Sequence, residues 1–163
     1  MRDDRDRWDR PGDLAFTGSF ELREVEDTKQ YLVSGVSVQR QFASDLVSWP
    51  DVAEAESYTL SLRRDQVLVV NAPVVAFGYD AEKGIAVTDM SSGYRLLELS
   101  GRDAWAQLKR GAELRLDMPS RSVMRRVFGI DVVLYRFANE GCFRLHVPRA
   151  MVPAFRKHLA EEA

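Results

Sequence analysis

An α+β domain is the fold class that this sequence predicts, on three observations. Short runs of alternating or β-branched apolar residues recur from Tyr58 to Val147. One stretch, Ser100 to Gly111, carries helix start and stop signals in the right order. A second apolar pattern at helical spacing, Met151, Phe155 and Leu159, closes the chain.

Taken from the start, residues 1–13 hold four Arg and five Asp around the single Trp8. Such a stretch cannot bury enough apolar surface to order itself, so it reads as a solvated, charged arm, with one domain over residues 14–163. Between Tyr31 and Pro50 the pattern is mixed: Val33, Val36 and Val38 suit a strand, whereas Phe42, Leu46 and Trp49 fall at helical spacing. A short helix over 42–48 is the expectation there.

Tyr58, Leu60 and Leu62 alternate with Thr59 and Ser61, and Val67 to Val70 follow the polar turn Arg63-Arg64-Asp65. This is a β-hairpin pattern. Val74 to Tyr79, Ile85 to Asp89 and Tyr94 to Leu99 read as further strands, bounded by Pro, Gly or Asp.

Ser100 can then cap a helix, with Asp103 completing a Ser-x-x-Asp box. Ala104, Trp105 and Leu108 form its buried stripe, Lys109 and Arg110 suit its last turn, and Gly111 is expected to end it in a left-handed conformation. Val123 to Phe128, Val132 to Phe137 and Cys142 to Val147 are three more strands. In the last, Phe143, Leu145 and Val147 face one side, Arg144 and His146 the other. Pro153 is tolerated because it falls in the first turn of the terminal helix.

Composition narrows the function. With 163 residues, a formal net charge of -2 and 45% apolar residues, the chain presents no global field that would select a nucleic acid or an anionic membrane. Cys142 is the only cysteine, which excludes an internal disulfide and suits a reducing, cytoplasmic setting. No run approaches the roughly 20 apolar residues of a membrane span, and the charged start lacks the core of a signal peptide.

Few residues suggest chemistry. Cys142 and His146 share a strand face and could pair a nucleophile with a base, but four residues of strand place their Cα atoms roughly 13 Å apart. Asp89 and Asp103 could form an acid/base pair, yet each sits where a turn or a cap already employs a carboxylate. His158 falls at the edge of the terminal helix's apolar face, and two separated His residues without clustered thiols or carboxylates do not make a zinc site. No Gly-x-Gly-x-x-Gly or Gly-x-x-x-x-Gly-Lys loop is present to cradle a phosphate. Arg121, Arg125 and Arg126 form a basic cluster suited to bidentate pairing across a subunit contact.

The order Asp89-x-Ser91, Gly93, a strand, then Gly101-x-x-Ala104 resembles the folate-binding domain of the aminomethyltransferase superfamily. The Leu108-x-x-Gly111 helix end, the Leu116-Asp117 step and Val147-Pro148-Arg149 extend the likeness over about residues 57–160, and most closely to the gamma subunit of heterotetrameric sarcosine oxidase. Where gamma chains often carry Gly-Pro-Asp-Glu-Trp-Leu, this chain reads Arg63-Arg64-Asp65-Gln66-Val67-Leu68, keeping the Asp and the closing Leu.

The resemblance implies a single folate-binding-domain-like fold, with an antiparallel-rich sheet and two main helices. It implies a small noncatalytic subunit in a flavoenzyme complex that oxidatively demethylates sarcosine or a related N-methyl amino acid. Alpha, beta and delta subunits would be the partners. FAD, FMN, NAD, tetrahydrofolate and zinc would reside in those subunits, with no catalytic, cofactor-binding or metal residue assigned in this chain. A free-standing tetrahydrofolate-binding or one-carbon transfer protein is the alternative.

Overall fold

The computed structural model describes residues 19–73, 76–113 and 115–160. The charged arm expected over residues 1–13 lies outside them. Strand alternation dictates the architecture. Where every second residue is apolar on both faces, a sheet must be covered twice, and two sheets here cover each other.

The first sheet contains β1 (Phe20–Val25), β9 (Tyr94–Gly101), β12 (Asn139–Pro148), β11 (Ile130–Phe137) and β10 (Met124–Val127), in that order and antiparallel. A two-residue strand, β4 (Val52–Ala53), joins the far end of β11 in parallel. The second sheet has the order β3 (Leu46–Val47), β5 (Tyr58–Arg63), β6 (Gln66–Val70), β2 (Gln30–Ser34), β8 (Ile85–Asp89) and β7 (Gly78–Asp80). Only its β3–β5 pair is parallel.

Three α-helices lie among the described residues: α1 (Val38–Gln41), α2 (Ala104–Gly111) and α3 (Val152–Ala160). Ala104 and Leu108 of α2, and Phe155 and Leu159 of α3, are buried in the same core as Leu97, Leu99, Phe143 and Leu145 of the first sheet. The opposite face of that sheet meets Leu60, Leu68 and Val70 of the second. A smaller cluster of Val33, Val67, Val69 and Ile85 lies on the outer face of the second sheet, closed by Val38 of α1 and by Phe42.

The hairpin over β5 and β6, the strands β8 to β12 and both main helices agree with the sequence reading. Several local expectations do not hold. The helix expected over 42–48 is instead the single turn α1, a 3-10 turn at Ala43–Asp45 and strand β3. Pairing of Leu46 and Val47 with Thr59 and Leu60 overrides their helical spacing. Val36 is 95% exposed rather than part of a strand. Of the run expected from Val74 to Tyr79, Ala76 and Phe77 are outside any strand and β7 begins at Gly78, while residues 74 and 75 lie outside the described residues.

Ser100 does not cap α2. It lies in β9, paired with Glu21, and Asp103 occupies the N-cap position with its carboxylate accepting from the Ser19 hydroxyl instead of a helix amide. Gly111 is the last helical residue and is not among the positive-φ glycines. Its role is steric: a Cβ there would lie 2.6 Å from the Phe128 ring. Gly101, by contrast, needs both its φ of +109° and its missing side chain, since a Cβ would meet the Ser19 carbonyl oxygen at 2.6 Å. Met151 precedes α3 in a 3-10 turn and is exposed, so Val152 takes its place in the buried stripe.

Candidate functional site

β12 alternates Phe143, Leu145 and Val147 toward the helices with Arg144 and His146 on its other face, as the sequence indicates. That second face does not meet water. It lies against the second sheet, and the polar residues it carries are joined into one chain of hydrogen bonds.

His146 and Tyr135 are fully buried, and Gln30, Tyr58, Glu98 and Arg144 are nearly so. The β11–β12 register puts Tyr135 opposite Arg144, and the β9–β12 register puts Glu98 opposite Arg144 on its other side. β1 then sets Arg23 opposite Glu98. Gln30 of β2 and Tyr58 of β5 approach from the second sheet.

The connections run end to end. His146 Nδ1 lies 2.6 Å from Gln30 Oε1, and His146 Nε2 lies 3.1 Å from the Tyr135 hydroxyl. The Tyr135 and Tyr58 hydroxyls are 2.6 Å apart, and Arg144 Nη1 donates to the Tyr58 oxygen at 3.3 Å. Arg144 Nε donates to Glu98 Oε2 at 2.9 Å, while Arg23 donates to Glu98 Oε1 from Nε at 2.8 Å and Nη2 at 2.5 Å.

Protonation fixes the direction of this chain. Burial, aided by the nearby Arg144 cation, lowers the His146 pKa to about 3, so the imidazole is neutral at pH 7. Its Nδ1–H donates to Gln30 Oε1, which leaves Nε2 to accept from the Tyr135 hydroxyl. Tyr135 in turn accepts from Tyr58, and Tyr58 accepts from Arg144. Burial raises both tyrosine pKa values, so both phenols keep their protons. At Glu98 burial favours the neutral acid, but hydrogen bonds from Arg23 and Arg144 overcome it and lower the pKa, so the carboxylate is the charged end.

Each member has a partner, and three contacts, His146–Gln30, Tyr135–Tyr58 and Arg144–Tyr58, tie the two sheets together. Buried networks of this kind are favourable only when complete. Cys142 lies at the Glu98 end, and burial followed by the Glu98 charge raises its pKa, which disfavours the thiolate a nucleophile needs. Its proposed partner His146 is bonded on both nitrogens, so the structure does not bring the two together as a reactive pair.

The remaining sequence candidates take structural positions. Asp89 accepts the Ser91 amide at 2.8 Å and has its pKa lowered by the Ser91 hydrogen bonds, while Ser91 Oγ accepts the Gln30 amide at 2.9 Å. Asp103 is held by Ser19 and is not paired with Asp89. His158 stacks on Phe128 with ring centroids 5.7 Å apart. The basic cluster divides: Arg126 is exposed and pairs with Glu113 and Asp131, whereas strand alternation turns Arg125 inward, where it is 7% exposed. Among the described residues no group of three or more His, Cys, Asp or Glu is placed to hold a metal ion, and no helix is long and apolar enough to cross a membrane.

A concave site of about 620 Å³ opens on the outer face of the second sheet. Val33, Val69 and Val87 form its floor, and Phe77 and Tyr79 stand exposed at its rim. Its size falls within the usual range for small-molecule sites, roughly 300–1,000 Å³. The alternation of β2 and β6 signals the floor; the rim depends on how β7 folds over it, which no local pattern indicates. Gln30 and Tyr58 were likewise not legible as site residues, and β1 was missed although Phe20-Glu21-Leu22-Arg23 alternates.

No family model and no curated protein sequence matches the chain. Solved structures do. The chain is similar to a chain of the heterotetrameric sarcosine oxidase from Corynebacterium sp. U-96, at 18% identity and a TM-score of 0.69, over 89% of this chain and 85% of that one. It is also similar to the glycine cleavage system aminomethyltransferase T from Bartonella henselae, at 16% identity and a TM-score of 0.57, over 92% of this chain and 48% of that one. The chain has the aminomethyltransferase-type fold.

Proposed function

We propose that this chain is a small noncatalytic subunit of a sarcosine-oxidase-type flavoenzyme complex, helping to assemble and stabilise catalytic subunits that oxidatively demethylate sarcosine or a related N-methyl amino acid. One observation carries the reading: the likeness to the heterotetramer chain is nearly complete in both directions, whereas the aminomethyltransferase is matched over only about half its length. Alpha, beta and delta subunits are the partners in this reading, with FAD, FMN, NAD, tetrahydrofolate and zinc in those subunits. The buried polar chain supports a structural role, because its groups are used up in bonding to one another.

Co-expression with the flavoprotein subunits of a sarcosine-oxidase-type complex tests this proposal. The expected result is a stoichiometric complex on size-exclusion chromatography; a lone monomer eluting free of flavoprotein overturns it.

The concave site on the second sheet favours a second reading, a tetrahydrofolate-binding or one-carbon transfer protein. Phe77 and Tyr79, 63% and 73% exposed, offer ring faces against which a planar heterocycle can stack. Calorimetry with tetrahydrofolate decides it, and the absence of heat at millimolar ligand eliminates this reading.

A further inference from the structure

Two indoles and three cations gather where β4 and β11 meet α2. The rings of Trp49 and Trp105 are 6.2 Å apart and within 10° of parallel. Arg136 lies against both, its Cζ 5.6 Å from the Trp49 centroid and 5.9 Å from that of Trp105. Arg125 approaches Trp49 at 5.5 Å, and Lys109 Nζ approaches Trp105 at 5.8 Å. Cation–π contacts hold the cations in place but do not neutralise them.

Among the described residues charge compensation at this cluster is weak, with Asp117 acting on Lys109 only from beyond ion-pair distance. Among the described residues neither Arg125 nor Lys109 has a carboxylate within ion-pair distance, and Arg136 has only Glu140 at 4.0 Å, whose side chain is 84% exposed. Arg125 is more than nine-tenths buried; its Nη1 donates to the Ser122 and Met124 carbonyls, which are dipoles and not charges. The Nε atoms of Arg125 and Arg136 are buried without an acceptor. A guanidinium taken from water without a counter-charge costs several kcal/mol. This weakly compensated charge favours an anion from outside.

We propose that this cluster docks an Asp- or Glu-bearing segment of a partner subunit, with Arg136 as the anchoring contact and Lys109 as the second. The inference rests on the subunit reading above. Arg136 retains 19% side-chain exposure and Lys109 is exposed, so an approaching carboxylate reaches both. The loop that accepts the Trp49 indole N–H at Leu116 also presents Met118, 56% exposed. Trp, Arg and Met at one patch match the composition of interface cores, and a half-buried Arg between aromatic rings matches that of binding hot spots.

The test uses full-length chain and the co-expressed flavoprotein subunits. Biolayer interferometry at 50 and 200 mM salt compares wild type with Arg136→Gln, Arg136→Lys and Lys109→Gln. Arg136→Gln is expected to weaken binding at least tenfold and to reduce its salt dependence, Arg136→Lys to restore it only in part, and Lys109→Gln to weaken it severalfold. Wild-type affinity in folded Arg136→Gln and Lys109→Gln overturns the proposal. Lys109 is exposed, so its variant carries the test if Arg136→Gln does not fold.

If the wild-type chain binds no flavoprotein subunit, the subunit reading falls and a second arm decides the site. Hexaglutamate is titrated against the chain with tryptophan fluorescence as readout, and hexalysine and free glutamate serve as controls. A saturable change with hexaglutamate alone that Arg136→Gln abolishes supports a docking site for acidic segments. No change, or saturation by free glutamate at the same concentration, overturns it.

Discussion

Tyr135→Phe removes one oxygen from the centre of the buried chain, and the structure gives its cost. The hydroxyl lies 2.6 Å from that of Tyr58 and 3.1 Å from His146 Nε2. Its loss leaves a phenolic donor and an imidazole acceptor without partners, in a place water does not reach. Each orphaned neutral group costs about 1–3 kcal/mol, and the phenyl ring keeps its packing, so a total of about 2–6 kcal/mol is expected for the two. Urea denaturation at pH 7 and 25 °C measures this as a lower midpoint with an unchanged slope.

Tyr58→Phe and the double variant complete a cycle. Both single changes break the same Tyr58–Tyr135 bond, so the double variant should cost less than their sum by about 1 kcal/mol. A Tyr135→Phe variant within about 0.5 kcal/mol of wild type, a size usual for inconsequential surface changes, refutes the picture of a closed network with no spare partners.

The same chain sets an acid dependence. His146 has its folded pKa lowered by burial from 6.5 to about 3, so below 6.5 the unfolded chain takes a proton that the native one refuses, and stability falls as pH drops through that window. One such group contributes a slope of about 1.4 kcal/mol per pH unit, and urea midpoints at pH 7 and pH 5 should show a loss that His146→Gln largely abolishes; equal slopes in both proteins refute it. Glu98 acts lower: its folded pKa is depressed below 4.5, so its stabilisation is complete above that value and is lost as pH falls through the folded one. Charge-neutral Glu98→Gln should therefore flatten the stability curve only below about pH 4.5. Gly111→Ala gains helix propensity worth up to about 1 kcal/mol but drives a methyl to 2.6 Å from a Phe128 ring already packed on Phe155 and His158. Overpacking costs about 1–3 kcal/mol, so a net loss is expected in thermal melts, and a raised Tm shows that the ring moves aside freely.

Local signals in the chain suffice for the class of the fold and most of its elements. The β5–β6 hairpin, the strands from Ile85 to Val147 and both main helices follow from periodicity and turn chemistry, which act over a few residues. The order from Asp89 to Arg149 also carries the resemblance that the structural likeness supports as a fold. Elements whose partners are distant were misjudged: Leu46 and Val47 pair with Thr59 and Leu60 against their helical spacing, and the Ser100 capping signal lost to β-pairing with Glu21.

What the polar residues do depends on which surfaces pack against each other. Arg144 and His146 alternate with apolar neighbours in the way of any half-exposed strand, and nothing local says that a second sheet covers them. Gln30 joins His146 across 116 residues and Tyr58 joins Arg144 across 86, while Arg23 reaches Glu98 across 75. Arg125 and Arg126 are adjacent and alike, yet the pleat buries one beside Trp49 and leaves the other in water. Burial is set by which faces meet, and that depends on how the strands of both sheets pack at once.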